Sequence, residues 1–542
     1  MARRQRLRAR QQAAAEQPPK ETFRAMSPAE FFHRHKEIAG FDNPTKAFYQ
    51  AIRELVENAL DATDVYGILP DIFISVEAVD KANMIYRITV EDNGIGIPPN
   101  NVPYAFGSVF YSSKYKLRQS RGRFGLGAKA VVIHAQSSTG QPLEVYTAPI
   151  GSKRIYYFKI RIELGQNKPS ILERGEFENP TGWHGTRVSI VFKGDWSRAR
   201  HRILTYLERT AIAAPYANIV FVDPDGNVIV YKRKISRMPP PPKEVKPHPH
   251  GIDVETLKEL IRRSNAKTML EFMVETFQGV GKKTALAFLE YAGIPPETDP
   301  HKLSSEDIAK LVDKMKEFKK FRPPSAEALS PLGREIIETG LRAVLQPEFV
   351  TAVTRRPRVY EGHPFIVEVG LAYGGKIPPQ EEPMLLRYAN KIPLLYDEKA
   401  DVAWKVVSQF DWRNYMVTFP APLAVLVHIA STKVPYKALG KESVAEVPEI
   451  EQEIRNALRE AARRLRQYLL EKKREEEARK RVVTYMKYIP EVAKSLAVIL
   501  KDYGVKESDV REMLLTAMKK RLRLPDEEFA KLIEGLEVSV EE

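Results

Sequence analysis

After Pro448 and as far as Tyr488 the chain contains neither proline nor glycine. Nothing in those roughly 40 residues stops a helix, which at 1.5 Å per residue would run for about 60 Å. Ile450, Ile454, Leu458, Ala461 and Leu465 recur at helical spacing, an apolar seam for the first half. From Glu471 to Arg481 the one apolar residue is Ala478, so the shaft there is predicted to be solvated on all sides. A single globule cannot hold such an element. It needs a folded body at its base and something to carry at its far end.

A second constraint divides that body. Met238-Pro239-Pro240-Pro241-Pro242, continued by Pro247 and Pro249, reads as a semi-rigid linker. Before it, Ile72, Ile74 and Val76, then Met84, Tyr86, Ile88 and Val90, alternate as two strands of a hairpin. Residues 143–163 and 186–192 continue as strands, and Asp223-Pro224-Asp225-Gly226 is a turn between two more. After the linker, residues 251–325 read helical, and mixed strands and helices return from Ala326, with Phe365–Leu371 and Val417–Ile429 as apolar runs. The predicted division is a basic arm (1–24), a first domain (25–237), the linker (238–250), a helical domain (251–325), an α/β domain (326–447), the long helix (448–488) and a helical tail (489–542).

Composition narrows the class. Eighty-five basic against 70 acidic residues give a net charge of +15, which favours a polyanionic partner. No apolar run approaches the roughly 18 residues that span a bilayer, and the basic N-terminus lacks a secretory apolar core. With no cysteine there are no disulfides or thiolate metal sites, as suits an intracellular chain.

The chemistry is concentrated in the first domain. On a helix over Arg53–Asp61, Phe48, Ile52, Leu55 and Ala59 share one face, while Glu54, Asn58 and Asp61 stack at i, i+4 and i+7 on another. Two carboxylates and an amide in that array suit a hydrated metal–phosphate; a solvated polar face is the alternative. Asp92-Asn93-Gly94-Ile95-Gly96 places an acid at a strand end and two glycines where backbone can approach a flat ligand. Gly122-Arg123-Phe124-Gly125-Leu126-Gly127-Ala128-Lys129 leads into an apolar helix and offers free N–H groups to phosphate, with Ser113 and Lys114 upstream. A flexible surface loop is the competing reading. Gly279-Val280-Gly281-Lys282-Lys283-Thr284 fails as a P-loop, because Thr276 and Lys283 stand where Gly and Ser or Thr are needed. It reads instead as a turn between helices that presents Lys282 and Lys283 to a nucleic-acid backbone.

Taken in order, Glu54-x-x-x-Asn58, Asp92-x-Gly94-x-Gly96, the Gly122–Lys129 loop and Gly185-Thr186 resemble the ATPase fold shared by gyrase, a heat-shock chaperone, histidine kinases and the mismatch-repair ATPase. The helical insert, Ser431-Thr432-Lys433-Val434-Pro435-Tyr436-Lys437 and the long helix resemble the B-subunit family of archaeal-type DNA topoisomerase VI over residues 25–490. The resemblance implies a multidomain α+β chain: a Bergerat-type ATPase α/β sandwich, a helix–two-turns–helix insert, and an α/β transducer with a long stalk helix. It implies ATP and Mg²⁺ as cofactors. Glu54 would be the general base, Asn58 the Mg²⁺ ligand and Asp92 the acceptor for the adenine amine. Gly94, Gly96 and Thr186 would join the ATP site, Ser113, Lys114 and Gly122–Lys129 would form the lid, and Lys433 would reach the γ-phosphate.

It also implies ATP-dependent dimerisation of the ATPase chain, a tyrosine-bearing partner chain that cleaves DNA, a heterotetramer with two copies of each, a duplex DNA substrate, and a cytoplasmic, nucleoid-associated location. A chaperone-like or mismatch-repair-like ATPase, or a DNA-binding scaffold with an inert site, are the alternatives.

Overall fold

The structure is a computed structural model that describes residues 25–122, 125–437 and 441–522. The basic arm, Arg123, Phe124 and the end of the C-terminal tail lie outside the described residues. Eight strands build the first sheet: β1 (Asp71–Asp80), β2 (Ile85–Asp92), β3 (Leu143–Ala148), β4 (Arg154–Glu163), β5 (Lys168–Glu178), β6 (Gly185–Lys193), β7 (Asn218–Val222) and β8 (Val228–Tyr231). Their order is β5-β4-β3-β6-β2-β1-β7-β8, antiparallel except for β1 against β7. Ile72, Ile74 and Val76 of β1 are buried while Phe73 and Glu77 are exposed, so one face is covered and the other open. Met84, which the alternation assigns to the second strand, is instead in the turn with φ 57°.

Helices Pro44–Asp64, Gly127–Thr139 and Trp196–Ala213 pack on the covered face. The first starts where the Asn43 side chain accepts from the Lys46 N–H and Pro44 fills a position that needs no donor. Its apolar face goes where its spacing predicts: Phe48 and Ile52 are fully buried, and Leu55 and Ala59 nearly so.

The helical insert comprises Val254–Arg263, Met269–Thr276, Lys282–Ala292 and Ser305–Glu317 around its own core of Leu257, Phe272, Phe288, Leu311 and Met315. The proline-rich stretch that leads to it is pinned rather than free. His248 and His250 bond the carbonyls of Arg322 and Phe318 at 2.8 and 2.9 Å, and the Val245 N–H bonds the Leu117 carbonyl at 3.1 Å.

The second sheet contains β9 (Phe349–Thr354), β10 (Arg358–Tyr360), β11 (His363–Tyr373), β12 (Met384–Ala389), β13 (Ile392–Pro393) and β14 (Leu423–Ser431), in the order β10-β11-β14-β12-β13 with β9 also on β11. Every residue of β14 is buried, because the sheet is covered on both faces. One face shares a core with the first domain: Ile337 and Leu341 of helix Arg334–Leu345, with Ala424 and Leu426, cluster with Ile203 and Leu207. Gly340 makes this contact possible, since a Cβ there would collide with the Ile212 carbonyl. The other face receives Ile450, Ile454, Leu458, Ala461 and Leu465 of the long helix.

That helix runs from Pro448 to Ile499, eleven residues beyond Tyr488 and through Pro490. An internal proline removes a hydrogen bond and costs about 3 kcal/mol. The burial of Ile489 and Ala493, beside the helix Glu507–Leu522 that packs back on the shaft, offsets that cost. Between these two packed ends, Glu471 and Lys473–Glu477 are exposed.

Candidate active site

The polar stripe of helix Pro44–Asp64 faces a cavity instead of an open surface. Glu54, Asn58, Asp61 and Ala62 form one wall of a cavity of about 660 Å³. Helix Gly127–Thr139 closes over it, and the cavity is also lined by Ser113, Lys114, Gly122, Gly125, Leu126 and Ala128. No side chain caps this helix at Leu126, so its first N–H groups are available to an anion. Gly127 is the point of closest approach: a Cβ there would collide with the Glu54 carboxylate. Gly125, at φ 63°, turns the loop beside Ser112, where a Cβ would come within 2.6 Å of the serine Cβ.

Three lysines surround this space: Lys114, Lys129 and Lys441. The Lys114 ammonium donates to the Asn58 amide oxygen at 2.8 Å and to Asp61 at 2.7 Å. Burial alone would push the Asp61 carboxyl up; Lys114 and Arg121 overcome this and hold it at about 2. Lys129 is nearly buried, donates to the Tyr111 carbonyl at 2.8 Å, and is lowered to about 8 by burial and then by Lys114.

The lining fits a nucleotide and a hard cation. The volume, the uncapped helix and the lysines suit a polyphosphate. The Asn58 and Asp61 oxygens already hold an ammonium between them, a donor pair that suits Mg²⁺. Among the described residues no cluster of three or more His, Cys, Asp or Glu side chains could hold a metal alone. A magnesium ion held there would take most of its ligands from phosphate oxygens and water.

Asp92, Gly94 and Thr186 do not line the cavity, although Gly96 does. Asp92 faces Thr186 across β2 and β6, accepts from the Gly94 N–H at 2.8 Å, and is pushed up to about 7 by burial. Gly94 and Gly96 serve backbone packing: a Cβ on Gly94 would sit 2.7 Å from that of Ala62, and one on Gly96, at φ 70°, would strike the Ala148 carbonyl. The loop after β2 is thereby pressed onto the floor helix.

Lys433 stands outside this space. It follows β14 directly, its N–H bonds the Ser431 hydroxyl at 3.1 Å, and its side chain is 46% exposed, 3.7 Å from Glu361 and outside the cavity. The second-domain lysine that enters is Lys441, in the segment between the bridged residues Tyr436 and Val444. Its ammonium donates to the Arg121 carbonyl at 2.8 Å.

Sequence reading also misses a buried polar chain behind the cavity. Arg121 bonds Asp61 at 3.2 Å and Asp64 at 2.8 Å, and Lys391 of the second sheet lies 3.4 Å from Asp64. The Lys391 N–H bonds His428 at 3.0 Å, and His428 bonds Glu368 at 2.7 Å. Nearby, Gln119 and Ser330 exchange two side-chain-to-backbone bonds. The base of the lid is thus tied to the second sheet. The available signal was the continuation of the floor stripe from Asp61 to Asp64, one helical turn on.

Residues 43–166 match the family described as histidine kinase-, DNA gyrase B- and HSP90-like ATPase, and the chain carries an ATPase domain of that class. Residues 324–481 match the family described as topoisomerase VI B subunit, transducer. Proteins named as the B subunit of type 2 DNA topoisomerase 6 are similar over nearly the whole length. The one from Metallosphaera sedula is 55% identical, covering 94% of this chain and 97% of its own. Those of Sulfurisphaera tokodaii and Saccharolobus shibatae are each 51% identical, covering 96% and 95% of this chain and 99% and 98% of theirs. The chain belongs to the family of type 2 DNA topoisomerase 6 B subunits. That assignment sets aside the chaperone-like, mismatch-repair-like and inert-scaffold alternatives. Among the described residues no helix is long and apolar enough to cross a membrane.

Proposed function

We propose that this chain is the ATP-binding and ATP-hydrolysing gate of a type II DNA topoisomerase, working with a separate tyrosine-bearing chain that cuts DNA. The observation that carries this reading is the convergence of Lys441, from the second domain, on the cavity lined by Glu54 and Asn58. A cation that meets the terminal phosphate of ATP favours one domain arrangement over another, and only such differential affinity drives a motion.

Within the site, Glu54 takes a proton from the water that attacks the γ-phosphate, and Gly127 presses its carboxylate against the lid. Asn58 provides the amide oxygen for Mg²⁺, which when bound neutralises phosphate charge. Lys114 must leave Asn58 and Asp61 for that to occur, and in doing so it becomes available to phosphate. The lid helix N–H groups and Lys129 hold phosphate oxygens; Ser113 adds a hydroxyl. Asp92 accepts the adenine amine, with Gly94, Gly96 and Thr186 shaping its surroundings. Lys282 and Lys283, exposed at the start of helix Lys282–Ala292, contact duplex phosphates.

ATP-dependent pairing of two such chains with two cutting chains, at the nucleoid, completes the machine. The test is relaxation of supercoiled DNA by the purified chain with its tyrosine-bearing partner. Activity should need both chains and ATP, and replacing Lys282 and Lys283 with Ala should flatten the salt dependence of DNA binding. ATP-independent relaxation, or relaxation without the partner, would overturn the reading.

Lys129 gives the site a pH signature. Phosphate beside its ammonium raises a pKa of about 8, so nucleotide binding takes up protons once the free site begins to deprotonate. Affinity should be full below pH 8 and fall by up to ~10-fold per pH unit above it. Calorimetry at pH 8.5 in two buffers of different ionisation heat should register this uptake, and Lys129→Met should abolish it. Equal heats in both buffers for the unaltered protein would exclude Lys129 from phosphate binding.

A further inference from the structure

Glu57 is adjacent to the proposed catalytic residues but does not line the cavity. It is 2% exposed, on the floor helix one residue before Asn58. Its Oε1 accepts from the Arg53 Nε at 2.7 Å, whereas its Oε2 has no hydrogen-bond partner. The group that faces Oε2 is the Lys441 ammonium, at 3.9 Å. A buried carboxylate oxygen left unbonded beside a cation is costly unless their attraction compensates. Lys441 is therefore suspended between an internal anion on one side and the cavity on the other, with the Arg121 carbonyl as its hydrogen-bond anchor.

We propose that Glu57 is a specificity-determining residue: a built-in competitor that holds Lys441 until a third phosphate displaces it, and that thereby tempers how strongly the site prefers ATP over ADP. This rests on the reading of Lys441 as the γ-phosphate contact. ADP, lacking that phosphate, leaves Lys441 with Glu57. ATP presents a doubly charged group from the cavity side and draws the ammonium, and with it the second domain, away from the floor helix. Arg53 stays bound to Glu57 throughout, at 2.7 Å, and opposes the burial that pushes the Glu57 carboxyl up.

Glu57→Gln separates the roles, because the amide keeps Oε1 as the acceptor for Arg53 and turns an amino group toward Lys441. The chain carrying it should bind a non-hydrolysable ATP analogue about 10-fold more tightly, while ADP affinity changes less than about twofold. Glu57→Asp, which withdraws the carboxylate by one methylene, should move the ratio the same way by less, and it serves if the glutamine variant does not fold. In a Lys441→Met background neither change should alter the ratio. Loss of the ATP preference in Lys441→Met, with no change in either Glu57 variant, overturns the competitor role alone. An unchanged preference in Lys441→Met overturns the underlying reading. Equal weakening of ATP and ADP by both Glu57 variants reduces Glu57 to a structural residue and also overturns the proposal.

Discussion

Glu54→Ala is expected to slow ATP turnover about 10²- to 10⁴-fold while the nucleotide still binds, the loss typical of removing a general base. Glu54 also fills the space against Gly127, where a Cβ would collide with its carboxylate, so alanine opens a void in the lid contact as well. Glu54→Gln resolves the two effects. It preserves shape and removes only the ability to take a proton. Turnover should fall as far in Gln as in Ala, with ATP affinity in Gln close to that of the unaltered chain. If Gln hydrolyses ATP normally while Ala does not, Glu54 supports the lid and another group is the base.

The second large effect is expected at Lys441. Lys441→Met should lower hydrolysis about 10²- to 10³-fold, the scale of losing one charge-stabilising donor in a closed site, and should reduce strand passage per ATP further still. The informative control is Lys433→Met, which should change neither quantity, because Lys433 is 46% exposed and faces Glu361. Both lysines can be compared in a single assay of ATP consumed against supercoils removed. A normal Lys441→Met and a defective Lys433→Met would return the role to the residue that the sequence alone suggests.

The contrast between those lysines shows what a linear chain discloses. The floor helix was legible because apolar and polar positions recur every three to four residues, and burial of Phe48, Ile52, Leu55 and Ala59 follows that spacing. The glycine-entered lid and the seam of the long helix were legible for the same local reason. Lys433 draws the eye because it lies beside a recognisable strand, whereas reaching the cavity, as Lys441 does, depends on where the chain goes after Pro435. Strand β5 escaped because most of it is exposed, which leaves no alternation to read. The Arg121–Asp64–Lys391 chain is invisible locally, since its partners are 57 and 327 residues apart. Only the sheets bring them together. The functions assigned to Gly94 and Gly96 were half legible: the need for bare backbone was evident, whereas its use against Ala62 and Ala148 was not.

The long helix converts small angles into large displacements. Its 52 residues measure about 78 Å end to end. Its first half is fixed to the second sheet, and that sheet shares a core with the ATPase domain. A rigid-body rotation of about 15° at the base, ordinary for two-state proteins, sweeps the far end through roughly 20 Å. That is about the width of a DNA duplex. The charged middle of the shaft, exposed over Lys473–Glu477, lengthens that lever: under the proposed function, chemistry confined to a few ångströms beside Glu54 would be delivered at a scale that matches the object to be moved.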